Sequence, residues 1–273
     1  MPKKRVVFEP SGLRIAVDES STILDAARKL GLHISSECAG RGTCGKCFVT
    51  IEPVVEPSQN DMAHISEADI EMGVRLACEH KIQTDTRVVI PYAAQAKILM
   101  DGTPSSMEWD IDEGLAGQMG IAVDLGTTTI VAYLLGMEKG IQLGQAASLN
   151  PQVIYGEDIM SRISYADLEE SGAQTLRNIV LSRLDELIIE LVSSTDINIE
   201  TVTRVSIVGN PAMHHLLLGL DTTSLGRSPF EPVVRDALNT NGEVLGIESN
   251  PQANVYIAPN IAGFVGGDTA GFI

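Results

Sequence analysis

Four cysteines constrain this chain more than any other feature. Cys38, Cys44, Cys47 and Cys78 are the only ones in 273 residues, and three share the run Cys38-Ala39-Gly40-Arg41-Gly42-Thr43-Cys44-Gly45-Lys46-Cys47. Four thiolates can hold a zinc ion or an iron–sulfur cluster. Structural zinc sites favour two Cys-x2-4-Cys pairs on separate knuckles, whereas here one loop carries three ligands and the fourth arrives alone. The three glycines of the run let the backbone approach closely and aim N–H groups at sulfur. The spacing therefore favours a cluster, with zinc as the competing occupant.

The surrounding sequence reads as a small mixed unit. Val6–Glu9 and Leu13–Asp18 are expected strands, joined through Ser11-Gly12. Ser21 or Thr22 caps a helix with Ile23, Ala26, Ala27 and Leu30 on its apolar face, ended by Gly31. A strand is expected at Phe48–Glu52, a helix from Ser66 with Asp69 and Glu71 in its first turns, and a strand at Arg87–Ile90. Residues 1–92 resemble the [2Fe–2S] ferredoxins of the β-grasp fold, an α+β class. They follow a variant with five residues between the first two ligands, where the plant type has four. The resemblance implies one-electron transfer on a cluster held by all four cysteines. Arg41 and Lys46, the basic residues of the loop, read as solvated charges.

Composition narrows the partners. With 19 Lys and Arg against 36 Asp and Glu, the chain carries a net charge of −17, which repels phosphate backbones and anionic lipid. Aromatics make up 4%, too few for base-stacking platforms. Neither nucleic acid nor a membrane surface is an expected partner. No run of eighteen apolar residues occurs, and Met1-Pro2-Lys3-Lys4-Arg5 leads into alternation at Val6–Glu9 instead of a signal-peptide core. A cytoplasmic location is expected, where clustered thiols stay reduced.

Residues 93–118 read as a linker, with turn chemistry from Asp101 to Ser106. From residue 119 the pattern changes. Ile121–Asp124, Ile130–Leu135 and Ile141–Ala147 are expected strands. Leu176, Ile179, Val180, Leu184, Leu187, Ile188 and Leu191 mark one face of a long helix. Val205–Val208 and Val255–Ala258 are further strands, and Asn210-Pro211 opens a helix as cap and first position. In Ile121-Ala122-Val123-Asp124-Leu125-Gly126-Thr127-Thr128-Thr129, a glycine turn offers N–H and hydroxyl donors to phosphate, and Asp124 stands where a carboxylate can hold hydrated Mg²⁺. A plain hairpin with threonines for strand propensity is the competing reading.

That string resembles the first phosphate-binding hairpin of the actin, Hsp70 and sugar-kinase superfamily. Ser148-Leu149-Asn150-Pro151-Gln152, Tyr155–Ile163, Val208–Leu216 and Ala258–Asp268, together with the leading cluster region, resemble the reductive activators of corrinoid proteins. The resemblance implies an α/β actin-like (ribonuclease H-like) ATPase region, with residues 119–238 as the middle domain and 239–273 as the start of a C-terminal domain. It further implies ATP and Mg²⁺, an electron donor, and a corrinoid protein or corrinoid-dependent methyltransferase whose cobalt is returned from Co(II) to Co(I). Such activators continue well beyond residue 273 with a second phosphate loop, so the chain is expected to be incomplete and its own ATPase site unfinished. The other reading is a ferredoxin-type electron carrier whose second region serves binding or dimerisation, and a homodimer fits either.

Asp124 is the expected catalytic carboxylate, with Gly126, Thr127 and Thr128 around it. Gly209 and Asn210 can face the nucleotide cleft or simply turn the chain. Asp268, after Gly266 and Gly267, is either a second carboxylate near the phosphates or a helix cap. Asp158 and Arg162 are spaced to pair on a helix, and the resemblance adds Asp158 to the nucleotide residues. His214 and His215 lack further metal-type neighbours in sequence and are expected to pack or cap.

Overall fold

The computed structural model describes residues 3–91 and 111–270; most of the expected linker, Trp109 included, lies outside these. The chain divides into two compact units, one of residues 1–96 with 153–164, the other of residues 97–152 with 165–273.

In the first unit β1 (Lys4–Glu9) turns back into β2 (Leu13–Val17), and α1 (Ile23–Lys29) follows. Thr22, not Ser21, is the cap. Its hydroxyl accepts the Asp25 N–H and the Asp25 carboxylate accepts the Thr22 N–H, a reciprocal capping box. Gly31 leaves the helix at φ +68°. After the cysteine run come β3 (Phe48–Glu52), α2 (Gln59–His64), α3 (Glu67–Glu71), β4 (Val74–Leu76) and β5 (Thr86–Val89). The sheet order is β2-β1-β5-β3-β4, with β1 and β5 parallel and the other pairs antiparallel. Inward residues Val6, Phe8, Val49, Ile51, Leu76 and Val88 close over Ile23, Leu24, Ala26 and Ala27 of α1.

Two of these elements go beyond the sequence reading. Helix α2 starts on a second capping box, Ser58 with Asp61, but spans only six residues and exposes Met62, so it shows no apolar periodicity. Strand β4 is three residues long. The expected helix at Ser66 is α3, capped by Ser66 through the Asp69 N–H.

The second unit is built on β6 (Met119–Leu125), β7 (Thr129–Gly136) and β8 (Ile141–Leu149), an antiparallel meander. The chain continues through α4 (Ile159–Leu168), α5 (Gly172–Thr195), β9 (Val202–Gly209), α6 (Pro211–Leu218), β10 (Leu238–Asn241), α7 (Gly242–Leu245), β11 (Asn254–Ile257) and α8 (Gly267–Ala270). The sheet order is β10-β11-β9-β6-β7-β8; β9 runs parallel to β6 and to β11. Leu176, Val180, Leu184, Leu187, Ile188 and Leu191 form the buried stripe of α5, which packs on β7, β8 and α6. Each such side chain contributes about 1.5–3 kcal/mol of burial. Among the described residues no helix is long and apolar enough to cross a membrane.

Candidate functional sites

The cysteine loop winds through left-handed backbone at Ala39, Gly40, Gly42 and Gly45. At Gly45 a side chain would also strike the His64 ring, 2.6 Å from a Cβ built there, so glycine answers both demands. The loop is pinned at both ends. Arg41 donates to the Cys38 carbonyl from its N–H and its Nε, and the Ala77 N–H donates to the Cys47 carbonyl at 2.8 Å. That last bond sets the turn after β4, which carries Cys78, beside Cys47, and the two Sγ atoms lie 3.3 Å apart. Cys38 and Cys47 are buried, Cys44 and Cys78 half-buried.

The thiols are set two and two. Burial alone would raise the Cys38 thiol. Hydrogen bonds from the Cys44 thiol and from the backbone N–H groups of Cys44, Thr43 and Gly40 outweigh it and bring it down to about 6. Burial raises Cys44. In the second pair the bond from Cys78 lowers Cys47 against its burial, while donating that bond, together with burial, raises Cys78. Among the described residues no group of three or more His, Cys, Asp and Glu side chains converges on a single-ion site. Two thiol pairs with N–H groups turned toward sulfur suit two irons better than one tetrahedral zinc.

The carboxyl side of the cluster loop is fixed by a buried acid that the sequence reading passed over. Asp61, fully buried, accepts the Leu76 N–H at 2.8 Å, the Ser58 N–H at 2.7 Å and the His80 Nε2 at 2.6 Å. Burial pushes its carboxyl up, but these bonds together outweigh burial and hold it below the usual range. The Ser-x-x-Asp spacing from Ser58 to Asp61 was the signal available in sequence.

The second site lies in the other unit, at the carboxyl end of β6. Gly126 donates to the Thr129 carbonyl at 3.0 Å, and a Cβ on Gly126 would sit 2.6 Å from that oxygen; only glycine closes this turn. Asn150, fully buried, clamps it from behind: its Nδ2 donates to the Gly126 carbonyl at 2.9 Å and its N–H to the Thr128 carbonyl at 2.8 Å. Asn210 caps a helix and also reaches the glycine turn. Its Oδ1 caps α6 through the Ala212 and Met213 N–H groups, and its Nδ2 donates to Thr127 Oγ1 at 3.0 Å. Gly209 and Gly266 pack back to back, since a Cβ on Gly266 would stand 2.4 Å from the Gly209 carbonyl oxygen. Gly267 lies against Ala258 in the same way, at 2.5 Å.

Three distant strings thereby converge on a cavity of about 420 Å³ lined by Asp124, Gly126, Thr127, Asn210, Asp268 and Thr269. Burial pushes the Asp124 carboxyl up, and the negative charge of Asp268 pushes it further. Two carboxylates that repel one another beside an open cavity are the arrangement a hydrated divalent cation relieves. Asp268 sits in the first turn of α8 and accepts the N–H of its neighbour Thr269 at 2.8 Å. Thr128 is exposed and does not line the cavity. Asp158 is not among the lining residues either. It precedes α4 and accepts the Ser161 N–H at 2.7 Å, and the fully buried Arg162 donates Nε to the Gly156 carbonyl at 2.8 Å.

His215 donates Nδ1–H to the Pro211 carbonyl at 2.7 Å and accepts the Val233 N–H on Nε2 at 2.9 Å, which fixes a neutral ring. His214, beside it, is 1% exposed, and among the described residues neither of its ring nitrogens has a hydrogen-bond partner. Burial, and then His215, lower it to about 4.

These two sites define a class: a ferredoxin-like unit joined to an α/β unit with a carboxylate-flanked glycine turn. Residues 119–273 match the RACo middle region, and the chain belongs to that family. Residues 6–83 match the 2Fe-2S iron-sulfur cluster binding domain. Corrinoid activation enzyme RamQ of Eubacterium limosum is 25% identical over 97% of this chain and 54% of its own length. The CDP-6-deoxy-L-threo-D-glycero-4-hexulose-3-dehydrase reductase of Yersinia pestis is 35% identical over 32% of this chain and 26% of its own length. Among solved structures, a reductive activator for corrinoid, iron-sulfur protein superposes with TM-score 0.54 at 23% identity, covering 97% of this chain and 56% of that one. The chain thus spans about half the length of the relative that it matches end to end, and it shares that activator's fold.

Proposed function

We propose that this chain supplies the electron-carrying unit and one nucleotide-binding wall of an ATP-dependent reductive activator, which returns a corrinoid protein's cobalt from Co(II) to Co(I). The observation that carries this reading is that a single chain joins the two thiol pairs to the Asp124–Asp268 cavity, within a family whose relative RamQ is described as a corrinoid activation enzyme.

In this reading Cys38, Cys44, Cys47 and Cys78 are the four ligands. A [2Fe–2S] cluster bound to them supplies one-electron transfer at a potential that starts near −400 mV for the plant type. The backbone N–H groups of Gly40, Thr43 and Cys44 favour the negative sulfur of Cys38 and so ease electron uptake. Asp124 and Asp268 hold the water shell of Mg²⁺. Thr127 offers its hydroxyl to phosphate oxygens, Gly126 closes the turn beside them, and Asn210 orients the Thr127 hydroxyl. Gly209, Gly266 and Gly267 are backing residues that let the strings approach. Thr128 acts through its backbone, whose carbonyl accepts the Asn150 N–H. ATP is required because each ~59 mV uphill costs tenfold in a one-electron equilibrium.

The test is Asp124→Ala in the full-length protein, assayed for MgATP stimulation of Co(II) reduction with the cluster's reduced EPR signal as control. The expected result is at least a tenfold loss of stimulation with an unchanged signal. Stimulation that survives would remove the phosphate assignment and leave a ferredoxin-type carrier with a binding module.

A further inference from the structure

The first unit contains a buried cation beside the cysteine loop. Arg28 is the sixth residue of α1 and only 9% exposed. Its Nε donates to the Ile154 carbonyl at 3.0 Å and its Nη2 reaches the Tyr155 carbonyl at 3.5 Å. The guanidinium carbon stands 5.6 Å from the centroid of the Tyr155 ring, within cation–π range. These partners come from residues 153–164, a stretch of the same unit more than a hundred residues further along.

The other side of the guanidinium faces the loop. A Cβ built on Gly40 would have Arg28 Nη1 at 3.7 Å, Cys78 Cβ at 3.9 Å and Leu24 Cδ2 at 3.3 Å. Arg28, the loop backbone and the fourth cysteine therefore surround one point. The Gly40 N–H is also among those that favour the negative Cys38 sulfur. Arginine keeps its charge at any physiological pH. The two carbonyls and the ring fix where that charge sits.

We propose that Arg28 is a positioning residue that sets the reduction potential of the cluster: a buried positive charge, locked by Ile154 and Tyr155 against Gly40, which favours the electron-loaded state. Reduction adds one negative charge to the cluster, and a cation held out of water acts on that charge with little screening. Arg41 and Lys46 are also basic and lie in the loop itself, but both are exposed and act through solvent. The acidic neighbours are Glu37, next to Cys38 in the chain, and Glu79, next to Cys78; Glu79 contacts the loop at Gly42 and disfavours ionised Cys78. Arg28 offsets them from the buried side. The proposal rests on the four-cysteine cluster reading.

The experiment is a potentiometric titration of the reconstituted full-length protein, followed by visible absorbance and EPR, for wild type and for Arg28→Gln, Arg28→Lys and Arg41→Gln. Arg28→Gln is expected to shift the one-electron equilibrium about tenfold toward the oxidised state, or ~59 mV lower, with the cluster spectrum retained. Arg28→Lys keeps the charge and is expected within threefold of wild type, and Arg41→Gln within twofold. Should Arg28→Gln fail to hold its cluster, Arg28→Met, which buries no unpaired donor, carries the same prediction. An Arg28→Gln or Arg28→Met potential within twofold of wild type overturns the proposal, as does an Arg41→Gln shift of the same size as that of Arg28→Gln. A wild-type protein that holds no cluster would instead overturn the ligand assignment on which it rests.

Discussion

The cysteine loop and the Gly126 turn are both built from glycine-rich backbone, yet they handle negative charge in opposite ways. The loop keeps its essential side chains local: three thiols within ten residues, left-handed backbone to aim N–H groups at them, and a fourth thiol delivered by the turn after β4 through one bond, Ala77 to Cys47. The turn has almost nothing of its own. Its cavity is assembled from the ends of β6 and β9 and the start of α8, and its carboxylates, Asp124 and Asp268, are 144 positions apart in the chain. A site made of local ligands tolerates change elsewhere and fails on loss of a ligand. A site made of converging backbones fails on a single added methyl.

The sharpest way to test that contrast is to break each side alone. Cys78→Ser is expected to remove the visible absorbance and the reduced EPR signal altogether, while nucleotide affinity of the full-length protein stays within twofold. A parallel loss of both would show that the two sites are not independent. Gly126→Ala brings a Cβ to 2.6 Å from the Thr129 carbonyl oxygen. It is expected to cost about 1–3 kcal/mol of stability and at least tenfold in nucleotide affinity, with the cluster spectrum unchanged. Calorimetric titration and thermal melting read both quantities, and an alanine variant that binds as wild type would show that the turn is looser than its geometry implies.

A smaller effect separates the units by acid. The folded pKa of His214 is depressed to about 4, by burial first and His215 second. Its stabilising contribution is therefore complete above the unfolded value of about 6.5 and is lost as pH falls toward 4, up to about 3 kcal/mol. In the first unit Asp61 is also lowered, so its contribution holds above about 3.9 and is lost only below that. Hydrogen exchange between pH 7 and pH 4 is expected to show the second unit losing protection first. Simultaneous loss would break the comparison, and His214→Phe is expected to flatten the slope.

What could be read from sequence follows the same division. Local chemistry was legible: a cap at Ser21 or Thr22, Gly31 as helix end, the stripe of α5, Asn210 before Pro211, and the cysteine spacing. Each depends on residues a few positions apart. The activator-type fold of the second region was legible only through its resemblance to known activators, because the approach of Gly266 to Gly209 leaves no periodic trace. Asn150 lay inside a string already singled out, but its grip on Gly126 and Thr128 is a tertiary bond between residues over twenty positions apart. Helix α2 and strand β4 were invisible for another reason. They are too short to show a period, and they exist because Asp61 ties them together through Ser58 and Leu76.

Residues 153–164 belong to the first compact unit although they fall within the stretch that matches the middle-region family. The unit is therefore discontinuous, and a cut at residue 92 would leave part of it behind. An excised ferredoxin would present the buried guanidinium of Arg28 to water, and the His33–Glu157 contact at 3.2 Å would go with it.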